Sequence, residues 1–116
     1  MSLLKAASGG SYLKAGFLGF AKSGKTHTAI ALAMGVREFF NLDGPIAMYD
    51  TEAGSDYHAQ RVETATGKPM LVVKSRSLSD LIATVRECIE HRVSVLVVDS
   101  VTHVWREVCD SYLAEL

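Results

Sequence analysis

The chain has 116 residues, 48% hydrophobic and 22% charged, with a formal net charge of −1. That composition suits one globular domain with a real core. It has no apolar run near the ~20 residues of a bilayer span and no electrostatic footprint for nucleic acid. The start, MSLLKAASGGSYLK, lacks an apolar segment of signal-peptide length, so residues 1–12 read as a leader and a cytoplasmic protein is expected.

Short apolar runs then alternate with helical patterns. Lys14 to Phe20 reads as a strand running into a glycine turn. From Lys25 to about Phe40, Ala29, Leu32, Ala33, Val36 and Phe40 recur at helical spacing, so an amphipathic helix follows directly. Asn41-Leu42-Asp43-Gly44-Pro45 stops it, and Ile46 to Tyr49 reads as a second strand. Asp50 to Gly67 is polar, a loop with one short helix, and Met70 to Lys74 is a third strand.

Ser77 and Asp80 stand at capping-box spacing, and Leu78, Leu81, Ile82, Val85, Cys88 and Ile89 mark one face of the helix they open. Asp80, Thr84, Glu87 and Glu90 fall on its other faces. Val93 to Val98 is β-branched and almost continuous, as a strand buried on both sides would be. A last helical pattern runs from about Thr102 to the end, with Val104, Trp105, Val108 and Tyr112 as its apolar positions. The alternation predicts an α/β fold, a parallel sheet of about four strands with helices on both faces. Cys88 and Cys109 form no CxxC pair and read as separate, partly buried thiols. His58, His91 and His103 make no metal-ligand cluster.

One stretch carries chemistry. Gly19-Phe20-Ala21-Lys22-Ser23-Gly24-Lys25-Thr26 matches G-x-x-x-x-G-K-[ST] in full, between a strand and a helix. Small residues let successive backbone N–H groups turn inward around a phosphate. The helix starting near Gly24 directs its N-terminal donors and positive dipole end at the same anion. Lys25 can reach the β- and γ-phosphates, and the Thr26 hydroxyl can complete a Mg²⁺ shell. Lys22 is a solvated loop lysine or an auxiliary phosphate contact, and His27 adjoins the motif. The other half of such a site is an acid at the tip of a buried strand, and VLVVDS supplies Asp99. A carboxylate there can hold the Mg²⁺ through water; helix capping is its alternative role.

The branch of nucleotide-binding protein turns on IAMYDTEAGSDY. A Ras-like GTPase carries D-x-x-G, and Gly54 stands one residue too far from Asp50; no N-K-x-D follows. MinD-like ATPases carry a lysine where this chain has Phe20. The chain instead resembles the RecA-like P-loop ATPases, through Asp50-Thr51-Glu52 after an apolar strand and the Walker B-like Val95 to Val101 with Asp99-Ser100. Within them it looks most like the phage-encoded, single-domain AAA family ATPases of recombination, which share GxxxSGKT, YDTE and VVDS[VI]TH.W in this order; the likeness covers roughly residues 13 to 115.

The resemblance implies a core at residues 13–116 that binds ATP and Mg²⁺. Glu52 is then the general base or water-orienting residue and Lys25 its catalytic companion. Gly19 to His27 form the nucleotide cradle, and Thr26 and Asp99 are the metal oxygens. Asp56 and Tyr57 fall about where relatives contact adenine, and some relatives have a cis peptide at the position of Asp99–Ser100. It also implies self-association, as ring, filament or fragment dimer, and a single-stranded DNA partner. Because RecA-like cores continue past this last helix, a chain stopping at Leu116 is expected to be C-terminally incomplete, with an exposed sheet edge. Two other functions fit the loop alone: a small-molecule phosphotransferase of the nucleotide-kinase type, and a nucleotide-binding assembly module without turnover. Arg61, Arg76, Arg86, Arg92 and Arg106 form no recognisable lid for the former.

Overall fold

A computed structural model of the chain describes residues 13–19 and 24–116. The expected leader at 1–12 and the motif residues Phe20, Ala21, Lys22 and Ser23 lie outside the described residues. In chain order the elements are α1 (Lys25–Phe39), β1 (Ile46–Asp50), α2 (Asp56–Thr66), β2 (Leu71–Lys74), α3 (Leu78–Glu90), β3 (Val95–Asp99) and α4 (Val101–Glu115). The strands form one parallel sheet in the order β2-β1-β3, with Met48 opposite both Val72 and Val97 and Asp50 opposite both Lys74 and Asp99.

Strand parity and the handedness of crossovers together set the layers. The chain leaves β1 outward to β2, then returns past β1 to β3. Right-handed connections therefore put α2 and α3 on opposite faces of the sheet. The contacts agree. On one face Ile46, Met48 and Val97 join Ile30 and Ala33 of α1, Val62 of α2, and Met70 in a single core. Ile30, Ile46, Met48 and Val62 are almost wholly buried, each worth about 1.5–3 kcal/mol relative to exposure. On the other face Tyr49 is fully buried and donates its hydroxyl to the Ser77 carbonyl at the start of α3, 2.6 Å away. α3 and α4 pack against one another on that side.

The central strand is buried along its whole length, which matches its apolar sequence. Both ends of its pairing with β3 are clamped. At the N-terminal end Ser94 N donates to the Pro45 carbonyl at 2.9 Å, and the Ser94 hydroxyl donates to the Gly44 carbonyl. A β-carbon on Gly44 would stand 1.9 Å from the Arg92 carbonyl oxygen, so only glycine permits this approach. At the C-terminal end the buried Thr51 amide donates to the Asp99 carbonyl at 2.7 Å. Its hydroxyl donates to the same oxygen at 2.9 Å and accepts from Ser100 N at 2.7 Å.

Two expectations need correction. Residues 14–19 form no strand: the described segment 13–19 is irregular and exposed, Leu18 completely so, and the described residues form a sheet of three strands rather than four. A strand there would have to add to a free edge of the sheet, and Gly16 and Gly19 would contribute no side chain to hold it. On α3, Thr84 faces inward, while Leu78, Ile82, Val85 and Ile89 are exposed. The Thr84 hydroxyl donates to the Asp80 carbonyl at 2.7 Å, so its burial leaves no polar group unpaired. The N-cap is as expected, with Ser77 Oγ accepting from Asp80 N at 3.0 Å. Both cysteines are free and partly buried. On α4 Val104 faces inward, whereas Trp105 is 65% exposed. No helix among the described residues is long and apolar enough to cross a membrane.

Candidate functional site

Parallel strands deliver their next residues to one end of the sheet. After β1 the chain turns to α2 on one face; after β3 it turns to α4 on the other. Neighbouring strands whose continuations part in this way leave a crevice beyond their carboxyl ends, the usual ligand position in open α/β sheets. Glu52 emerges from β1 and Ser100 to His103 from β3, and a cavity of about 630 Å³ opens there. Its walls include Gly19, Lys25, Thr26, Glu52, Asp99, His103 and Arg106, with the irregular segment 13–19 along one side.

The start of α1 contributes the first wall. Gly24 is its N-cap at φ 85°, a left-handed conformation that glycine adopts at little cost. No acidic side chain occupies the first turn of α1, so no carboxylate of that turn competes with an anion for its N-terminal dipole end. Lys25 Nζ donates to the Gly19 carbonyl at 3.2 Å, holding the two ends of the Gly-Lys motif together. Thr26 Oγ1 donates to Asp99 Oδ2 at 2.9 Å, a contact between residues 73 positions apart.

Asp99 is 8% exposed and sits at the tip of β3, where the sheet fixes it relative to α1. Burial pushes its carboxyl above the usual range; the Thr26 hydroxyl opposes this, and the negative charges of Glu52 and Asp50 add to the rise. The Asp99–Ser100 peptide is cis.

Asp50 occupies the matching tip of β1 and has a different task. Its Oδ1 accepts from Glu52 N and its Oδ2 from Ser55 N, both at 2.9 Å. Burial opposes its ionisation, but hydrogen bonds from Ser55 and from the Glu52 and Gly54 amides outweigh that and hold its carboxyl below the usual range. Asp50 thereby fixes the turn from which Glu52 projects. The Glu52 carboxylate meets His103, whose Nε2 donates to Oε1 at 3.3 Å.

The structure therefore gathers Gly19, Lys25, Thr26, Glu52 and Asp99 around one cavity. Three other candidates stand elsewhere. His27 is engaged by Arg61, which reaches its Nδ1 at 2.6 Å and its carbonyl at 3.2 Å. Asp56 pairs with Lys74 at 3.3 Å beside β2, and the exposed Tyr57 ring packs edge-on against His58; neither lines the cavity. Burial, with Arg61 and His27 nearby, holds the His58 imidazole below its usual range against the pull of Asp99.

Three contributors were not singled out from sequence for these roles. Thr51 lies within the D-T-E element and ties the two strand ends together. His103 and Arg106 sit one turn apart on α4 and both border the cavity, which helical spacing alone does not reveal.

Among the described residues no group of three or more His, Cys, Asp or Glu side chains could hold a metal ion. The available donors are the paired oxygens of Thr26 and Asp99, hard ligands of the kind suited to Mg²⁺ held chiefly by water and phosphate. Compared with known protein families, curated proteins and solved structures, the chain matches none of them.

Proposed function

We propose that the chain is a RecA-like P-loop ATPase core that binds MgATP and directs water at the γ-phosphate. The observation that carries this reading is the 2.9 Å contact between Thr26 Oγ1 and Asp99 Oδ2. It joins the Gly-Lys-Thr motif to the acid at the tip of β3, in a cavity that Lys25 and Glu52 share.

The roles follow from position. The N–H groups at the start of α1 bind phosphate oxygens, and Lys25 leaves the Gly19 carbonyl to meet the β- and γ-phosphates. Thr26 and Asp99 would hold Mg²⁺, whose charge neutralises the phosphate oxygens when it is bound. Glu52 orients a water and takes its proton as the water oxygen bonds to the γ-phosphorus and the bond to ADP breaks. Asp50 and Thr51 keep Glu52 in place. The phage recombination setting, a single-stranded DNA partner, self-association and a cytoplasmic location belong to the same proposal and rest on motif resemblance.

The test is phosphate release from ATP with Mg²⁺, with and without single-stranded DNA. Glu52→Gln should lower turnover by about 10²–10⁴-fold, the usual range for a lost general base, with nucleotide affinity nearly unchanged. Turnover that survives the substitution removes Glu52 from the role. Phosphate arriving only on an added nucleoside monophosphate would replace hydrolysis with phosphotransfer.

A further inference from the structure

We infer that His103 is a positioning residue for Glu52, an inference that rests on the hydrolase reading above. The Glu52 backbone is fixed by the hydrogen bond from its N–H to the Asp50 carboxylate, but its side chain is not held from that end. It is 43% exposed and has several rotatable bonds, so leaving it unrestrained costs it a defined direction. Among the described residues its carboxylate accepts from His103 Nε2 at 3.3 Å, and it also meets the Asp99 carboxyl.

His103 is well placed to impose a direction. Its side chain is only 22% exposed and lies in the first turn of α4. That turn is anchored by the Ser100 N–H, which donates to the Thr51 hydroxyl, and by the buried Val104. The imidazole therefore has a fixed origin, set by β3, while Glu52 has its own origin at β1. The contact between them spans the crevice.

Electrostatics call for such a restraint. Asp99 and Asp50 are the neighbouring carboxylates, and Asp99 feels the Glu52 charge. Crowding by these acids leaves the direction of the Glu52 carboxylate to be set by whichever donor it meets. A donor at the His103 Nε2 position draws it to the cavity wall that His103 shares with Lys25 and Thr26.

Two measurements test this. The first compares ATP turnover in the wild type, His103→Ala and His103→Gln, the last retaining an N–H donor near the Nε2 position. Loss of a hydrogen bond to a charged group predicts a fall in kcat of about tenfold in His103→Ala, little change in KM for ATP, and recovery of most of the loss in His103→Gln. A kcat that stays level or rises in His103→Ala overturns the inference, the latter because His103 would then be restraining Glu52 from action. An equal loss in both variants also overturns it.

The second needs no nucleotide. In the ligand-free protein, Glu52→Gln should move the ¹⁵N resonance of His103 Nε2, while Glu107→Gln, one turn along α4, should not; an unmoved Nε2 signal overturns the inference. A wild-type protein that releases no phosphate from ATP overturns the hydrolase reading, and the positioning role falls with it. A wild type with normal turnover that ignores the His103 substitutions overturns the positioning role alone.

Discussion

Asp50 shows how a single carboxylate serves the site without facing a ligand. It accepts two backbone N–H groups and is 1% exposed. Its folded-state value lies below the usual carboxylate range. Its ionised form therefore stabilises the fold above about pH 4, the value in an unfolded chain. That contribution disappears as pH falls through the lower folded-state value. Asp99, displaced upward, contributes with the opposite sign. Urea midpoints measured from pH 2 to 7 should rise less steeply with pH in Asp50→Asn than in the wild type. The variant should also lose about 1–3 kcal/mol near neutrality, because an amide nitrogen cannot accept both backbone bonds. Parallel profiles would remove Asp50 from this role. The identity of this acid was legible in the sequence, since D-T-E follows an apolar strand. Its division of labour with Glu52 was not: two carboxylates two residues apart look alike until hydrogen bonds distinguish a buried brace from an exposed, cavity-lining group.

Among elements, the β1–β3 pair sets the geometry of the cavity, and its two clamps are built differently. Thr51 joins the carboxyl ends through one hydroxyl and one amide; Gly44 joins the amino ends by being small. Gly44→Ala must push the Arg92 carbonyl away and should cost about 3 kcal/mol by overpacking, read as a lower denaturant midpoint with an unchanged slope. A variant as stable as the wild type would show that the two chains part easily there. Element types and bounds were readable for α1, β1, β2, β3 and α4 to within one or two residues. Each combines a strong period or β-branched run with turn residues at its ends. The strand expected at residues 14–19 failed because an apolar run between glycines specifies no partner. Strand formation depends on what lies alongside, and here the neighbour is one sheet edge. The apolar stripe of α3 is a similar case. Periodicity identifies Leu78, Leu81, Ile82, Val85, Cys88 and Ile89 as a face, but the register of the helix on the sheet turns only Leu81 and Cys88 of these inward, together with Thr84.

Across the whole molecule, the cavity is where the two layers meet. Its walls come from α1 on one face of the sheet and α4 on the other, with Glu52, just beyond β1, and the end of β3 between them. Under the proposed function, a nucleotide bound there would lie among residues from position 19 to position 106 and would oppose unfolding of both layers at once. At 100 times its dissociation constant, MgATP should raise stability by about 2.7 kcal/mol, a rise in Tm of roughly 10 °C for a domain of this size. The increase should shrink in Lys25→Ala. A melting curve that ignores MgATP would exclude the cavity as a nucleotide site.

Trp105 has a practical consequence for all of these experiments. It is the chain's only tryptophan, largely open to water, and it stands next to Arg106 on the helix that walls the cavity. Every photon of indole emission thus originates from one position, a single residue along the backbone from the cavity wall. The protein carries its own optical label, and titration or melting can be followed there without an attached dye.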